Sequence, residues 1–244
     1  MPLPQFDVDL VVEDMNPTLL RVIFEDDVLN EGIGDNRLYF PTDGMEWVEV
    51  SEILQEEDVV TRRIAEQSQD SDEFDRYADE FMNQQYGDGD LSEGPMAVLS
   101  ALDLGVIAAV AALSASGCVT TTSCRGHTKR GEAHPIVRFA TDEWRLPLLQ
   151  RAARDVECGL TLDHEGMLQV YATNIGNLLN FARTLSDRRA EYERIESRVP
   201  IPRLDDDELN SLPTPRKRDL ADALERWDVD LTVRHAGQME LFDD

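Results

Sequence analysis

Lysine is nearly missing from this chain. Only Lys129 and Lys217 are lysine among 23 basic residues; the other 21 are arginine. Basic surface is missing with it: 50 acidic residues against 23 basic ones give a net charge of −27. That balance disfavours a protein that grips nucleic-acid phosphate or anionic lipid. Cysteine is scarce too. Cys118, Cys124 and Cys158 are too few for a disulfide scaffold and point to a reducing compartment. The start, MPLPQFDVD, has neither the basic region nor the apolar stretch of a secretory signal, so the expected location is cytoplasmic. The one long apolar run is Met96–Ser116, which Asp103 and three serines interrupt. Its length approaches that of a membrane span. The expectation is a buried core helix ended by Gly117 as a C-cap, with no membrane partner.

What is present is enough for a core, since 41% of residues are hydrophobic. The arginine bias has two readings. A high-GC genome favours arginine codons without a physical cause. Alternatively the protein works in multimolar salt, where self-repulsion is screened and a hydrated carboxylate surface keeps it soluble; the acid excess favours this reading. In such salt the net charge no longer excludes a nucleic-acid partner.

Charge is unevenly spread. Residues 1–94 hold 26 acids and 5 bases, residues 95–186 hold 8 of each, and residues 187–244 hold 16 and 10. The neutral middle should contain the main core. The expected organisation is an acidic N-terminal extension or small β-rich domain over 1–94, an α/β domain over 95–197, and an acidic tail over 198–244. The segment Tyr86–Pro95, YGDGDLSEGP, reads as the linker. The acidic first block can also be read as a phosphate mimic, with a solvated surface the favoured alternative.

Short strands are expected at Phe6–Val12, Leu20–Phe24, Arg37–Phe40 and Trp47–Val50, and helices at Ser51–Gln67 and Asp70–Met82. Beyond the apolar helix, the expectation is a strand at Cys118–Thr122, a polar loop at Ser123–His134 and a strand at Pro135–Ala140. A helix at Asp142–Glu157 follows, then a hairpin of Gly159–Asp163 and Met167–Ala172, and a helix at Asn174–Ser197. The fold class is therefore α/β, with a central α-β-loop-β-α-β-β-α unit. A short helix at Arg216–Trp227 and a strand at Val229–Val233 are expected in the tail.

The segment Thr120-Thr121-Thr122-Ser123-Cys124-Arg125-Gly126-His127-Thr128-Lys129-Arg130-Gly131 is where chemistry is expected. It follows a strand, so it lies at a sheet end. Its hydroxyl and backbone N–H groups suit an anion or a polar ligand, and Gly126 lets backbone approach a ligand. It is locally basic in an acidic protein. The plainer reading is a polar loop with incidental Ser and Thr.

From Val119 to His127 the chain resembles the third enzyme family of tRNA wybutosine synthesis, whose signature is T-T-S-S-C-S-G-R after a helix. Downstream, Ile136–Phe139, Pro147-Leu148-Leu149-Gln150-Arg151-Ala152-Ala153, Cys158-Gly159-Leu160-Thr161-Leu162 and Leu168–Tyr171 follow the family's order. The likeness covers about residues 95–186. Phe74-Asp75-Arg76 is similar to the F-D-x-R-K element near that family's N-terminus. Two departures stand out: the signature's Ser after Cys is Arg125, and its Arg is His127, which lacks the bidentate fork. The family's Phe-Arg after glycine is Leu160-Thr161 here. The resemblance implies S-adenosylmethionine as donor and a modified guanosine of tRNA as acceptor. It implies Thr121, Thr122, Ser123 and Gly126 on the donor, and Arg125, Lys129 and Arg130 on the substrate. His127 is the candidate base, although a neutral nitrogen nucleophile need not lose its proton first.

Two other classes remain. Cys118, Cys124, His127 and His134 are all allowed zinc ligands, spaced C-x5-C-x2-H-x6-H, which is not a common finger spacing. A zinc-stabilised binding module follows from that set. Alternatively the chain is a non-catalytic adaptor. Gln238, Leu241 and Phe242 in QMELF resemble the short motif that docks proteins on bacterial sliding clamps, with a tail packed on its own domain as the plainer reading.

Overall fold

The computed structural model describes residues 3–20, 42, 45–86, 95–96, 99, 102–127, 132–164 and 166–195. The expected strand Arg37–Phe40, residues 21–24 of the strand expected at Leu20–Phe24, and all expectations beyond residue 195, including the QMELF motif, lie outside them. The architecture is mixed α/β: helices pack with a four-stranded antiparallel sheet. No helix among the described residues is long and apolar enough to cross a membrane.

Among the described residues a 3-10 turn at Pro17–Leu19 is followed by two α-helices, α1 (Trp47–Gln67) and α2 (Ser71–Tyr86). The strand expected at Trp47–Val50 is instead the first turn of α1. Its alternation W-V-E-V resembles a strand, but the Glu49 carboxylate accepts a 2.7 Å bond from the Glu46 N–H and starts a helix. Val50, Ile53, Glu57, Val60, Thr61 and Ile64 then form a buried stripe at helical spacing.

The apolar run yields a shorter helix than expected. α3 spans only Ile107–Ala115, because hydrophobicity on every side gives no period from which to place its start. Its end is as expected. The Gly117 N–H bonds the Ser114 carbonyl at 2.9 Å and the Cys118 N–H bonds the Leu113 carbonyl at 3.0 Å, a Schellman closure. Ile107 through Ser114 are all buried, and α3 packs against α1 and the later helix α5 (Ile175–Asp187).

Glu57 occupies the centre of the buried stripe on α1 and is fully buried. Its Oε1 accepts from Gly105 N (2.6 Å) and Ile107 N (3.0 Å), and its Oε2 from Ala108 N (2.7 Å). These are donors that a helix start leaves without intrahelical partners, so α1 caps α3. Next to it, Glu56 Oε2 accepts from Met96 N at 2.9 Å.

The sheet comprises β1 (Val119–Cys124), β2 (Ile136–Ala140), β3 (Gly159–Leu162) and β4 (Leu168–Tyr171) in the order β1-β2-β4-β3. Register aligns Val137 with Val170 and Leu160, and Phe139 with Leu168 and Leu162; all but the partly buried Leu162 are buried. Arg138, Gln169 and Thr161 share the other face. Between β2 and β3 lies α4 (Leu146–Asp155), whose start Asp142 secures by accepting from Trp144 N and Arg145 N at 3.0 and 2.9 Å. The Asn174 side chain caps α5 through Asn177 N, and α6 (Arg189–Tyr192) follows.

Phe6–Val12 does not form the expected strand. Residues 11–13 run beside β3 through one parallel bridge, with Leu160 N bonding Val11 O and Glu13 N bonding Leu160 O. The Tyr171 hydroxyl replaces the ladder before that point: it accepts from Val11 N and donates to Asp9 O, both at 3.3 Å. Its ring crosses Gly159, where an added Cβ would lie 2.2 Å from the ring, so glycine is required by close approach. Buried side chains of α1, α2, the sheet and α5 form one cluster that spans the expected 94/95 boundary.

Burial pushes the Glu57 carboxyl up to about 7 against the three backbone bonds. The unfolded carboxyl releases its proton near 4.5, so between those values the folded state holds the extra proton. This contribution to stability is therefore fully present below about pH 4.5 and is lost as pH rises through 7. Thermal melts from pH 4.5 to 8 should show an added decline in the native protein relative to Glu57→Gln; identical slopes would overturn it. Glu57→Ala, which leaves three buried N–H groups unpaired, should cost about 3 kcal/mol or more in denaturant unfolding.

Candidate functional site

The site grows from an irregularity in β1. Register passes from Thr120 opposite Phe139 to Thr122 opposite Arg138, so Thr121 is an extra residue, a β-bulge. Its Oγ1 donates to the Arg138 carbonyl at 3.2 Å. A bulge re-aims the side chains that follow it. Ser123 now lies opposite buried Val137, and Cys124 opposite Ile136 on the other face.

Beyond Cys124 the backbone turns at Gly126, whose φ of +82° favours glycine. A Cβ there would lie 2.7–2.8 Å from the backbone of His134 and Pro135. The His127 N–H then bonds the Glu132 carbonyl at 2.8 Å and closes the loop. Signature residue and return strand are thus in direct contact.

Arg125 is the largest fully buried side chain among the described residues. Its Nε donates to Asp75 Oδ1 at 3.2 Å, and its Nη2 to Asp79 Oδ1 at 2.6 Å and to the Asp75 carbonyl at 3.2 Å. Its Nη1 lies 3.8 Å from Asp103 Oδ1, and its backbone N–H donates to Asp103 Oδ2 at 3.2 Å. Burial works against the charge, but the Asp79 bond and the carboxylates of Asp103, Asp79 and Asp75 outweigh it and hold the pKa above its ordinary value. Asp75 and Asp79 are one turn apart on α2 and reach the same guanidinium.

His127 sits between two of the same carboxylates. Its Nδ1 is 3.5 Å from Asp75 Oδ2 and its Nε2 is 3.4 Å from Asp103 Oδ2. Cys124 is half-buried, and burial pushes its thiol up against backbone hydrogen bonds from Glu132 and Gly126. Ligand atoms of Asp103, Cys124 and His127 all lie within 4.8 Å of one another.

The expected site residues therefore separate. Thr121 is the bulge, Thr122 is exposed, and Ser123 is half-buried. Gly126 and His127 are buried beside them. Arg125, expected on substrate, is engaged by acids of α2 and by Asp103. Lys129 and Arg130 lie outside the described residues. Of the four expected zinc ligands, Cys124 and His127 come together, with Asp103 as third member. Cys118 is in the core, its Sγ 3.5 Å from Ser116 Oγ and 3.4 Å from Thr141 Oγ1, and burial raises its pKa. His134 packs on the Tyr171 ring with centroids 5.3 Å apart, and burial lowers its pKa.

Asp79 and Asp103 are the residues that sequence reasoning missed. The signal for Asp103 was its position as the one charge in an apolar run. The signal for Asp79 was its spacing of four from Asp75.

Arg125→Met would leave Asp75, Asp79 and Asp103 around an uncharged side chain. Since these carboxylates are 22–37% exposed, the expected loss is about 2 kcal/mol, below the cost for a fully buried pair. Denaturant unfolding measures it; a change under about 0.5 kcal/mol would refute a structural role for the Arg125 ion pairs. Comparison with protein-family models, with curated proteins and with solved structures finds no match to this chain.

Proposed function

We propose that this chain is an S-adenosylmethionine-dependent methyltransferase-like protein acting on RNA, with tRNA the first acceptor to test. One observation carries the reading. Two of the stretches that resemble the wybutosine methyltransferase family, Phe74-Asp75-Arg76 and Thr120–His127, lie about fifty residues apart in sequence and meet in space. Asp75 bonds Arg125 and faces His127.

Two features support the assignment of roles. The bulge at Thr121 and the turn at Gly126 present hydroxyls and backbone at the end of β1, where a polar donor can bind. In this reading Thr121, Thr122, Ser123 and Gly126 hold the donor, while Lys129 and Arg130 meet the acceptor's phosphates. Arg125 positions the loop instead of touching substrate. Methyl transfer asks chiefly for alignment of donor carbon and acceptor nitrogen, and in this reading His127, between Asp75 and Asp103, is the candidate base.

A second reading is favoured by one fact: the arginine of the loop is spent on internal ion pairs. That suits a non-catalytic module that keeps the fold and engages a partner elsewhere, for instance through the C-terminal QMELF.

Calorimetric titration of S-adenosylmethionine into the folded chain in multimolar KCl separates the two. Micromolar binding, weakened at least tenfold by Ser123→Ala (a loss of about 1.4 kcal/mol), is the expected result. Absence of binding to folded protein would refute the methyltransferase reading and favour the module.

A further inference from the structure

We propose that Asp103, Cys124 and His127 form a three-ligand site for one borderline transition-metal dication, zinc in the first instance, with Asp75 as the outer partner of the histidine. This goes beyond the methyl-transfer reading and does not depend on it. The ligand chemistry is mixed carboxylate, thiolate and imidazole, a set that zinc accepts. Among the described residues it is the one group of three metal-capable side chains whose ligand atoms lie this close together.

The spacing fits. Zinc bonds of about 2.0–2.3 Å at tetrahedral angles place neighbouring ligand atoms about 3.3–3.8 Å apart. His127 Nε2 and Asp103 Oδ2 are already 3.4 Å apart, and the full set lies within 4.8 Å.

A second observation is independent of the ligand set. The other imidazole nitrogen, Nδ1, faces Asp75 Oδ2 at 3.5 Å. Histidines that bind metal through one nitrogen characteristically bond a carboxylate through the other, which fixes tautomer and ring orientation. Asp75 is itself held by Arg125 Nε, and Asp103 by the Arg125 backbone N–H. Both carboxylates share one guanidinium, which leaves the pocket negative and suited to a cation.

Three protein ligands leave a fourth position for water or a heteroatom of a small polar substrate. Cys124 and Asp103 are only half-buried, so an ion can enter. Binding breaks the Cys124 S–H bond, forms the metal–sulfur bond and releases the proton to solvent. With metal on Nε2, His127 acts as a ligand and no longer as a base, so occupancy decides which role it has.

The test is titration of the metal-stripped full-length chain with Co²⁺ alone, without methyl donor, in the KCl buffer where circular dichroism shows it folded. A thiolate-to-cobalt charge-transfer band saturating at one equivalent is expected, displaced by Zn²⁺. Cys124→Ser should abolish it although Cys118 and Cys158 remain, and Asp75→Asn should weaken Zn²⁺ binding about 10–100-fold. No band in folded protein, or a band that survives Cys124→Ser, overturns the proposal. If Cys124→Ser does not fold, X-ray absorption of the zinc-loaded native chain decides: one sulfur with nitrogen and oxygen neighbours supports the site, and an all-oxygen shell refutes it. Cobalt binding without donor binding would leave the metal site standing and remove the methyltransferase reading; the reverse would do the opposite.

Discussion

The fold rests on a carboxylate taken out of water. Glu57 carries a charge-bearing group into the middle of an apolar stripe, where desolvation alone would expel it. It stays because α3 begins there with backbone N–H groups that nothing within the helix can satisfy. Neither element is self-sufficient: α3 is too apolar to stand in water and has no side-chain cap of its own, and α1 carries a buried acid. Docked, each supplies what the other lacks. The N-terminal helices and the neutral middle of the chain consequently share one core.

The same pattern recurs along the seam. Glu56 takes the Met96 N–H, Asp58 lies 3.6 Å from Arg183 of α5, and Asp75 and Asp79 take Arg125. Acids of the most acidic block thus serve as acceptors for donors of the neutral block. Arg125 differs from Glu57 in what it fixes. It holds the loop after β1 against α2, and so places Cys124 and His127 beside Asp103. The chemistry of the site is then a consequence of packing between helices far apart in sequence, with the bulge at Thr121 and the turn at Gly126 supplying the local aim.

Much of the sheet half was legible in the sequence because its signals are local. β-branched residues after Gly117, alternation in Ile136–Ala140, and the Asn174 cap all act within a few residues. The misreadings had causes that alternation and composition do not show. Trp47–Val50 alternates like a strand, yet α1 is set by its start signal and by the stripe that continues to Ile64. The run from Met96 has no polar face, so no periodicity marks where α3 begins; its start coincides with the carboxylate of Glu57, about fifty residues earlier. Phe6–Val12 has strand composition, but a tyrosine hydroxyl from β4 takes the Val11 N–H and the Asp9 carbonyl in place of a neighbouring strand. At the site, Cys124 and His127 could be read from the loop, whereas the acids that surround them could not be assigned without the fold. Block charge counts treated Asp75 and Asp79 as solvated surface.

Salt acts differently on these two populations of carboxylate. At molar ionic strength the screening length is about 3 Å, so repulsion among acids spread over the surfaces of α1 and α2 is nearly removed. The bonds that dock these helices are 2.6–3.2 Å long and in part buried, where screening is weaker than at the open surface. High salt therefore subtracts the force that opposes docking and leaves the force that produces it. At low salt that repulsion returns and works against the same buried bonds, offset in part by the intrahelical pairs Arg62–Asp58 and Arg76–Glu80.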